Sequence, residues 1–240
     1  MIKNILVIHM KLSIIMPVYN EKNTIEEIIR RVSGVEGIEK ELIIVDDFST
    51  DGTRELLRKY QNSARRNNME IVFHDQNLGK GMAIRTGLKK VTGDLVIIQD
   101  ADLEYDPNDY LKLVQPIVEE GAFVVYGSRS LSHRNKMSYL RYHIGGQVVT
   151  WWTNRLYGCR LTDEPTCYKL FRANLLKSLR LSCKRFEFCP EVTAKIRKRG
   201  IEILEVPISY NPRKIKEGKK IRWKDGIQAI WTLLKYRFTN

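Results

Sequence analysis

Short apolar runs that stop at acidic residues are the feature of this sequence that most restricts its fold. The stretch GDLVIIQDADLEYDP, residues 93–107, contains four consecutive apolar residues and, one residue after them, reaches the Asp-x-Asp pair Asp100 and Asp102. A continuous apolar run of this length predicts a strand buried on both faces of a parallel sheet. Open α/β sheets bind ligands at the carboxyl ends of their strands, so these carboxylates lie where a ligand is expected. A turn that caps the next helix, predicted at Pro107–Glu120, explains the same residues without a ligand.

The first half of the chain alternates such runs with helical patterns. Ile25, Ile28, Ile29 and Val32 recur at helical spacing, and Thr24-x-x-Glu27 is typical of a capping box before them. Helical connections of this length suit right-handed crossovers between parallel strands. The order βαβαβαβαβ therefore predicts a mostly parallel, doubly wound α/β sheet with helices on both faces. Its strands are expected at Leu12–Met16, Leu42–Val45, Ile71–His74, Leu95–Ile98 and Phe123–Tyr126.

The second half of the chain is less regular. The segment Asn211–Arg222 is polar, basic and contains glycine, which predicts a mobile loop. We divide the chain into an α/β domain at 1–210 and a basic closure loop with an amphipathic helix at 211–240. Further helices are expected at Tyr139–Tyr157 and Phe186–Arg199, strands at Tyr168–Phe171 and, at a sheet edge, Ile201–Val206, and a final helix with Ile227, Ile230, Trp231 and Leu234 on one face.

The net charge of +13 and the isoelectric point near 9.6 predict an acidic partner, such as nucleic acid, an anionic membrane or a phosphorylated substrate. The stretch from Arg180 to Asp225 alone carries fourteen Lys and Arg residues against six Asp and Glu residues. No apolar run is long enough to span a bilayer. The four cysteines have neither metal-ligand spacing nor the pattern of a secreted disulfide framework, which indicates reduced thiols in a cytosolic protein.

Polar residues follow three of the predicted strands. Residues 17–21 (PVYNE) follow the first, Asp46 and Asp47 the second, and the Asp-x-Asp pair the central one. In a parallel sheet these ends share one edge, so the side chains are expected to line one crevice that holds a nucleotide. Hard cations such as Mg²⁺ bind carboxylates together with phosphates. The glycine-rich loops of dinucleotide-binding proteins and P-loop ATPases are missing, and Lys80 either approaches a diphosphate at a helix start or lies in a plain turn.

Several ordered motifs together resemble family 2 glycosyltransferases with the GT-A fold: MPVYNE, VDDFSTDGT, NLGKGMAIRTG, GDLVIIQDADLEYDP and YGSR. The later stretches DEPTCYKLFR, RFEFCPEVTAKI and EVPISYNPRKIKEGKKI are similar to the dolichol-phosphate or polyprenyl-phosphate hexose synthases. The resemblance runs from Lys11 to about Asp225. It implies an inverting, metal-dependent enzyme that moves a hexose from a GDP-mannose or UDP-glucose type donor to a polyprenyl or dolichyl phosphate.

The resemblance also implies roles for individual residues. Mg²⁺ or Mn²⁺ would be bound by Asp100, Asp102 and Glu104, of which Glu104 stands where dolichol-phosphate mannose synthases often carry Gln. Catalysis would involve Asp102, Arg129 and Asp163, while Asp163 and Glu164 either hold a sugar or acceptor group or cap a turn. The nucleotide sugar would be contacted by Pro17, Tyr19, Glu21, Asp47, Lys80, Asp100, Ala101, Arg129, Arg141, Arg213 and Lys219.

The basic C-terminal region and the helix carrying Trp231 predict peripheral attachment at the cytoplasmic face of the membrane, through anionic lipids or a membrane partner. A polysaccharide or another hydroxyl acceptor is the alternative, and it would require a positioned base such as Asp163. Binding to nucleic acid is supported only by the net charge, and acidic strand ends would repel a phosphate backbone, so no nucleic-acid partner is expected. The sugar, the nucleotide and the choice between Mg²⁺ and Mn²⁺ stay open.

Overall fold

A seven-stranded sheet with the order β3-β2-β1-β4-β6-β5-β7 forms the centre of the protein in this computed structural model. The structure describes residues 8–61, 68–133, 135, 139–213 and 223–239. β6 pairs antiparallel with both β4 and β5, and the other neighbouring strands are parallel. This confirms the predicted, mostly parallel α/β sheet. The strands are β1 (Ile8–Val18), β2 (Ile38–Asp46), β3 (Met69–Phe73), β4 (Leu95–Ile98), β5 (Val124–Ser128), β6 (Lys169–Arg172) and β7 (Leu204–Pro207).

Helices follow the strands in the predicted alternation, and a short 3-10 helix at Pro107–Asp109 precedes α4. The predicted long helices are present within a few residues of their expected ends. The six-residue helix α6 was not predicted. The helices of the described residues are α1 (Ile25–Ser33), α2 (Thr53–Gln61), α3 (Lys80–Leu88), α4 (Tyr110–Glu119), α5 (Leu140–Tyr157), α6 (Ala173–Ser178), α7 (Phe188–Lys198) and α8 (Trp223–Phe238).

The central strands are buried on both faces, as their continuous apolar runs predict. All four residues of β4 are inaccessible to solvent. Helix α3 packs closely on the sheet at Gly87, which has no side chain. A Cβ atom at this position would lie only 2.6 Å from Cγ2 of Ile15. Full burial of one aliphatic side chain stabilises a fold by about 1.5–3 kcal/mol, so this layer holds the strand ends in fixed positions.

Two local predictions are wrong. The first strand does not stop at Pro17, because Pro17 still pairs with Val45 and the strand continues to Val18. The capping box does not form either. The hydroxyl of Thr24 donates to the backbone carbonyl and to the carboxylate of Glu21, whereas the carboxylate of Glu27 binds the guanidinium groups of the following helical turn.

The C-terminal helix α8 packs against α5 and α7. Leu233 and Tyr236 are buried there, while Ile227 and Trp231, predicted to share an apolar face, are 58% and 66% exposed. Residues 214–222, which include most of the predicted closure loop, lie outside the described residues, and the division at residue 210 stays a prediction. None of the described helices is both long and apolar enough to cross a membrane.

Candidate active site at the carboxyl edge of the sheet

The carboxyl ends of β1, β2 and β4 meet at one edge of the sheet. Their register brings Val18 opposite Asp46 and Ile15 opposite Ile98. The polar residues that follow these strands therefore lie side by side, as the parallel order predicts. A cleft of about 460 Å³ opens at this edge, and Glu21, Asp102 and Arg213 are among its lining residues.

Asp100 forms an ion pair with the first residue of α3. The Nζ atom of Lys80 lies 2.5 Å from Oδ1 of Asp100. Burial alone would raise the pKa of Asp100, but the ammonium group of Lys80 holds it below its ordinary value. Burial likewise opposes the charge of Lys80, and Asp100 outweighs it and raises the pKa of the amine. Both groups are therefore charged, and the lysine predicted to approach a diphosphate does lie at the acidic strand end.

The turn before α3 explains how Lys80 is placed. Gly79 has a positive φ of 92°, and a Cβ atom there would lie 2.4 Å from the carbonyl oxygen of Lys184. Any larger residue would displace one of the two backbones. The carboxylate of Asp47 accepts hydrogen bonds from the backbone N–H groups of Leu78 and Gly79 at 2.9 and 2.7 Å. The start of the helix is thus tied directly to the end of β2.

Asp102 lies in a strongly negative part of the edge. Burial, together with the charges of Asp100 and Glu104, raises its pKa to about 7, and Arg213 partly offsets this effect. One guanidinium nitrogen of Arg213 lies 3.2 Å from Oδ2 of Asp102, and the same guanidinium binds both carboxylate oxygens of Glu21 at 3.0 and 2.9 Å. The edge therefore has an excess of buried negative charge that favours a bound cation.

Glu104 contacts the segment that follows β7. Its carboxylate accepts hydrogen bonds from the hydroxyl of Tyr210 and the backbone N–H of Arg213, both at 2.8 Å. Its backbone carbonyl accepts a third from the N–H of Asn211 at 2.9 Å. These bonds hold residues 210–213 over the acidic edge, and the predicted role of Glu104 as a metal ligand stays a prediction.

Oxygen donors at this edge suit Mg²⁺ or Mn²⁺, which prefer carboxylates and phosphates. Among the residues that the structure describes, no three His, Cys, Asp or Glu side chains are close enough to bind a metal ion by themselves. The raised pKa of Asp102 nevertheless marks a carboxylate that a cation would stabilise. The residues fit a metal that one or two carboxylates hold and that the phosphates of a ligand complete.

A third ion pair follows β5. The carboxylate of Asp163 accepts hydrogen bonds from Nε and Nη2 of Arg129, both at 2.7 Å, and from its backbone N–H at 2.9 Å. Burial alone would raise the pKa of Asp163, but Arg129 holds it below the ordinary value. The guanidinium also lies over the ring of Tyr210, 5.1 Å from its centroid. Asp163 is therefore an ionised carboxylate that orients an arginine towards the same edge.

Residues 13–180 match the sequence profile described as Glycosyl transferase family 2. This chain is a family 2 glycosyltransferase. It is 31% identical over 211 residues to the UDP-N-acetylglucosamine–dolichyl-phosphate N-acetylglucosaminyltransferase of Methanococcus voltae, covering 81% of this chain and 83% of that protein. It is 28% identical over 212 residues to the undecaprenyl-phosphate 4-deoxy-4-formamido-L-arabinose transferase of Salmonella choleraesuis, and this alignment covers 87% of the chain but only 62% of that relative.

Solved structures confirm the predicted GT-A fold of this glycosyltransferase. The TM-score is 0.70 to glucosyl-3-phosphoglycerate synthase from Mycobacterium tuberculosis crystallised with Mn²⁺, UDP and glucosyl-3-phosphoglycerate, at 23% identity over 95% of this chain and 80% of that one. A structure of the same synthase with Mg²⁺ and UDP has a TM-score of 0.69 at 22% identity, covering 95% of this chain and 79% of that one. At these identities the likeness establishes the fold.

The predicted site residues of the glycosyltransferase fall into groups. One group forms the ion pairs of the strand edge: Glu21, Lys80, Asp100, Asp102, Arg129, Asp163 and Arg213. Ala101, between the two acidic residues, is buried, and Tyr19 at the end of β1 is 37% exposed. Arg141 is exposed on α5, where its guanidinium lies over the ring of Tyr142. Lys219 lies outside the described residues.

Two predicted contacts lie in the protein interior. Asp47 is 2% exposed, and its carboxylate binds Nδ1 of His74 at 2.8 Å in addition to the turn before α3. Its predicted contact with the nucleotide stays a prediction. Glu164 is inaccessible to solvent, and its carboxylate binds the hydroxyl of Thr193 on α7 at 3.0 Å. We interpret Glu164 as part of the core, in contrast to its neighbour Asp163.

Sequence reasoning missed Tyr210 and Asn135. The ring and hydroxyl of Tyr210 connect Arg129 to Glu104, and the amide of Asn135 binds the backbone carbonyls of Arg129 and Ile208 at 2.8 and 2.9 Å. Tyr210 lies within the stretch EVPISYNPRKIKEGKKI, so the resemblance pointed to its segment without identifying the residue. Asn135 has no local signal, because its partners are on distant parts of the chain.

Proposed function

We propose that this glycosyltransferase moves a sugar from a nucleoside-diphosphate donor to the phosphate of a polyprenyl or dolichyl phosphate. The similar proteins are named for transfer to dolichyl phosphate and undecaprenyl phosphate, which supports a lipid phosphate as the acceptor. They are named for N-acetylglucosamine and a formamido-arabinose. Our own preference is a hexose such as mannose or glucose, and all of these sugars are to be tested as donors.

The ion pair between Arg129 and Asp163 is the observation that favours a phosphate acceptor. A hydroxyl acceptor needs a base to remove its proton, whereas a phosphate monoester is already ionised near neutral pH. Asp163 is a poor base because three hydrogen bonds from Arg129 stabilise its ionised form. Arg129 in turn offers a fixed cation that can bind a phosphate. The pair is therefore suited to orient an anionic acceptor.

The transfer itself requires little proton chemistry. A phosphate oxygen of the acceptor attacks the anomeric carbon of the sugar and forms the new carbon–oxygen bond. The bond from that carbon to the donor's diphosphate breaks on the opposite face, so the configuration inverts and the nucleoside diphosphate leaves as an anion. Its negative charge grows in the transition state, and fixed positive charges that meet it there lower the barrier.

This chain supplies such charges from three directions. We assign Lys80 and Arg213 to the donor diphosphate and Arg129 to the acceptor side. Asp100 and Asp102 would hold Mg²⁺ or Mn²⁺, and the metal would act as a Lewis acid on the departing diphosphate. Asp163 keeps Arg129 in place through three hydrogen bonds, and this fixed geometry means that little reorganisation accompanies the reaction on the acceptor side.

Thermal unfolding with candidate donors tests the donor site. A ligand that binds only the native state raises the midpoint, and the rise grows with the logarithm of its free concentration divided by its dissociation constant. We expect one nucleotide among UDP, GDP and their sugar conjugates to raise it in the presence of Mg²⁺ or Mn²⁺, and we expect Asp102→Ala to lose that shift. Transfer to a polyprenyl phosphate is then measured with the sugar conjugate of that nucleotide. No shift with any nucleotide would overturn the proposal.

We further propose that the enzyme binds the surface of an anionic membrane through α5 and α8. The two helices pack side by side. Ile144 and Trp151 on α5, and Ile227 and Trp231 on α8, expose more than half of their accessible surface. Aromatic and aliphatic side chains of this kind insert at the boundary between lipid headgroups and acyl chains. An acceptor with a polyprenyl chain would be reached from such a surface.

Positive charge near these apolar residues supports anionic lipid as the partner. Arg141 on α5 and Lys224, Lys235 and Arg237 on α8 are close to them along the two helices, and the whole chain carries +13. Each Lys or Arg near an anionic surface contributes about 1 kcal/mol. Charge and apolar area together are therefore expected to give stable, salt-dependent binding.

Flotation with vesicles tests this attachment. The full chain should float with vesicles of phosphatidylglycerol and phosphatidylcholine and bind pure phosphatidylcholine more weakly. The double variant Trp151→Ser, Trp231→Ser should reduce binding by about tenfold or more, since two interfacial indole rings are lost. Phe123→Ser, which alters an exposed ring just before β5, is the matched control. Equal flotation of the double variant and the wild type would refute this surface.

A further inference from the structure

Hydrogen bonds hold the segment after β7 in place next to the acidic edge. The N–H of Ser209 donates to Oδ2 of Asp109, and the N–H of Tyr210 donates to the amide oxygen of Asn135, at 2.5 and 2.8 Å. Tyr210 also pairs with Tyr105 in an isolated antiparallel bridge. Residues 209–213 therefore reach the edge in a defined backbone conformation.

Glu104 fixes the end of this segment that carries Arg213. One carboxylate oxygen binds the N–H of Arg213, the other binds the hydroxyl of Tyr210, and the backbone carbonyl binds Asn211. Because Glu104 lies only two residues from Asp102, these bonds place the arginine directly above the Asp-x-Asp pair. The guanidinium then enters the cleft between Glu21 and Asp102.

The guanidinium of Arg213 places a positive charge between two carboxylates. Buried carboxylates that lie close together are costly unless a cation compensates them. Arg213 lies 2.9 Å from Glu21 and 3.2 Å from Asp102, and so provides that compensation from the chain itself. A divalent cation on Asp102 would repel the guanidinium that lies 3.2 Å from Oδ2 of that carboxylate, so each cation weakens the binding of the other there.

We propose that Arg213 is a resident counter-ion of the donor-free enzyme, which occupies Asp102 and Glu21 until the metal and the donor displace it together. The inference rests on the proposed function, because it assumes that Asp102 binds a metal with a nucleotide sugar. On displacement the guanidinium exchanges its carboxylate partners for the donor's diphosphate. The metal alone gains Asp102 at the cost of the arginine's ion pairs, whereas the metal with donor gives the arginine a new partner.

This exchange makes metal binding and donor binding cooperative. Each ligand favours the state in which Arg213 has left Asp102, so each raises the affinity for the other by the same factor. Removal of the guanidinium is therefore expected to change two affinities in opposite directions. Metal alone should bind more tightly, because Asp102 is no longer occupied, and the donor should bind more weakly, because its diphosphate loses a cation.

The test is a titration of Mn²⁺ alone, followed through the electron paramagnetic resonance signal of the free ion. Arg213→Gln should bind Mn²⁺ at least about tenfold more tightly than the wild type, which corresponds to about 1.4 kcal/mol. Arg213→Lys, which keeps a charge but loses the planar fork, should fall between them. Arg31→Gln removes the same charge from the exposed face of α1 and should match the wild type.

Nucleotide binding in saturating Mn²⁺ completes the test. The nucleotide that shifts the wild type should bind Arg213→Gln about tenfold more weakly, the opposite direction from Mn²⁺ alone. Unchanged or weaker binding of Mn²⁺ to both Arg213 variants would overturn the resident counter-ion. A wild type that binds Mn²⁺ but no nucleotide would instead overturn the proposed function. Circular dichroism of each variant establishes that it is folded before the titrations are compared.

Discussion

Asp100 and Asp102 lie two residues apart at the end of the same strand, yet their cations are anchored in different ways. Lys80 begins α3, a helix that packs closely on the sheet through Gly87 and is tied to Asp47 at its start. Arg213 belongs to a segment that follows the edge strand β7 and is held mainly by hydrogen bonds. The comparison indicates a permanent ion pair beside an exchangeable one. The four predictions below test that difference, from the largest expected effect to the smallest.

Removal of the carboxylate of Asp102, which exchanges Arg213 for a metal ion, should have the largest effect on the rate of transfer. Asp102→Asn should lower transfer from the nucleotide sugar by about 10³-fold, because the metal loses its ligand and the departing diphosphate its stabilisation. Initial rates with a polyprenyl-phosphate acceptor measure this loss. Asp94→Asn, at the opposite end of β4, is the control and should keep nearly full activity. Similar rates for the two variants would show that Asp102 has no role in the reaction.

The permanent pair should show its importance in both stability and rate. Lys80→Met should lower transfer by about 10²-fold. It should also destabilise the donor-free fold by about 2 kcal/mol, since Asp100 must then either stay charged without its cation or take up a proton in a mostly buried site. Arg213→Met should cost less stability, because the raised pKa of Asp102, about 7, lets this carboxylate take up a proton when its cation is lost. Chemical denaturation of the two variants side by side measures the difference, and an equal loss would contradict the contrast between the two pairs.

The parts of the molecule that sequence predicted best are those determined by local pattern. β4 was predicted at its observed ends because four apolar residues lie between a turn and two acidic residues, and α1 because its isoleucines repeat at helical spacing. The short helix α6 was missed because it continues directly from β6 and has barely one turn of pattern. The capping box failed because Glu21, three residues before Thr24, takes its hydroxyl.

The site was predictable as a set of residues but not as a set of contacts. Parallel strand order brings Asp46, Asp100 and the PVYNE stretch to one edge without any further information. Nothing in the local sequence indicates that Arg213 contacts Glu21, because 192 positions separate them. The same holds for Arg129 and Asp163, which meet only because β6 runs antiparallel beside β5. Such pairings depend on tertiary structure.

A third ion pair extends the comparison to the acceptor side. Asp163→Asn should reduce transfer to a polyprenyl phosphate by about tenfold, because Arg129 loses a charged partner and part of its orientation. With a hydroxyl acceptor, in which Asp163 would be the base, the same change should abolish transfer. Rates with both acceptor classes distinguish the roles. Complete loss with the phosphate acceptor, in a variant that unfolds like the wild type, would contradict the positioning role.

The smallest expected effect is a dependence of stability on pH. In the donor-free enzyme the pKa of Asp102 is raised from an ordinary 3.8 to about 7, so the folded state binds a proton there that the unfolded state releases. The contribution of this group to stability is therefore lost as pH rises from about 4 to about 7. The pKa of Asp163 is lowered, which gives the opposite slope at low pH. The thermal midpoint of the wild type, taken relative to that of Asp102→Asn, should therefore fall as the pH is raised from 4.5 to 8.

The antiparallel strand β6 has a consequence for how such an enzyme can diverge. Because β6 runs against its neighbours, the residues that lead into it arrive at the edge where β4 and β5 end. The chain thus leaves this edge after β5 and returns to it before β6, while β1, β2 and β4 stay side by side in the parallel part of the sheet. A substitution in the stretch between β5 and β6 can therefore change what borders the edge, while the pairing of the strands that lead to Asp100 and Asp102 stays the same.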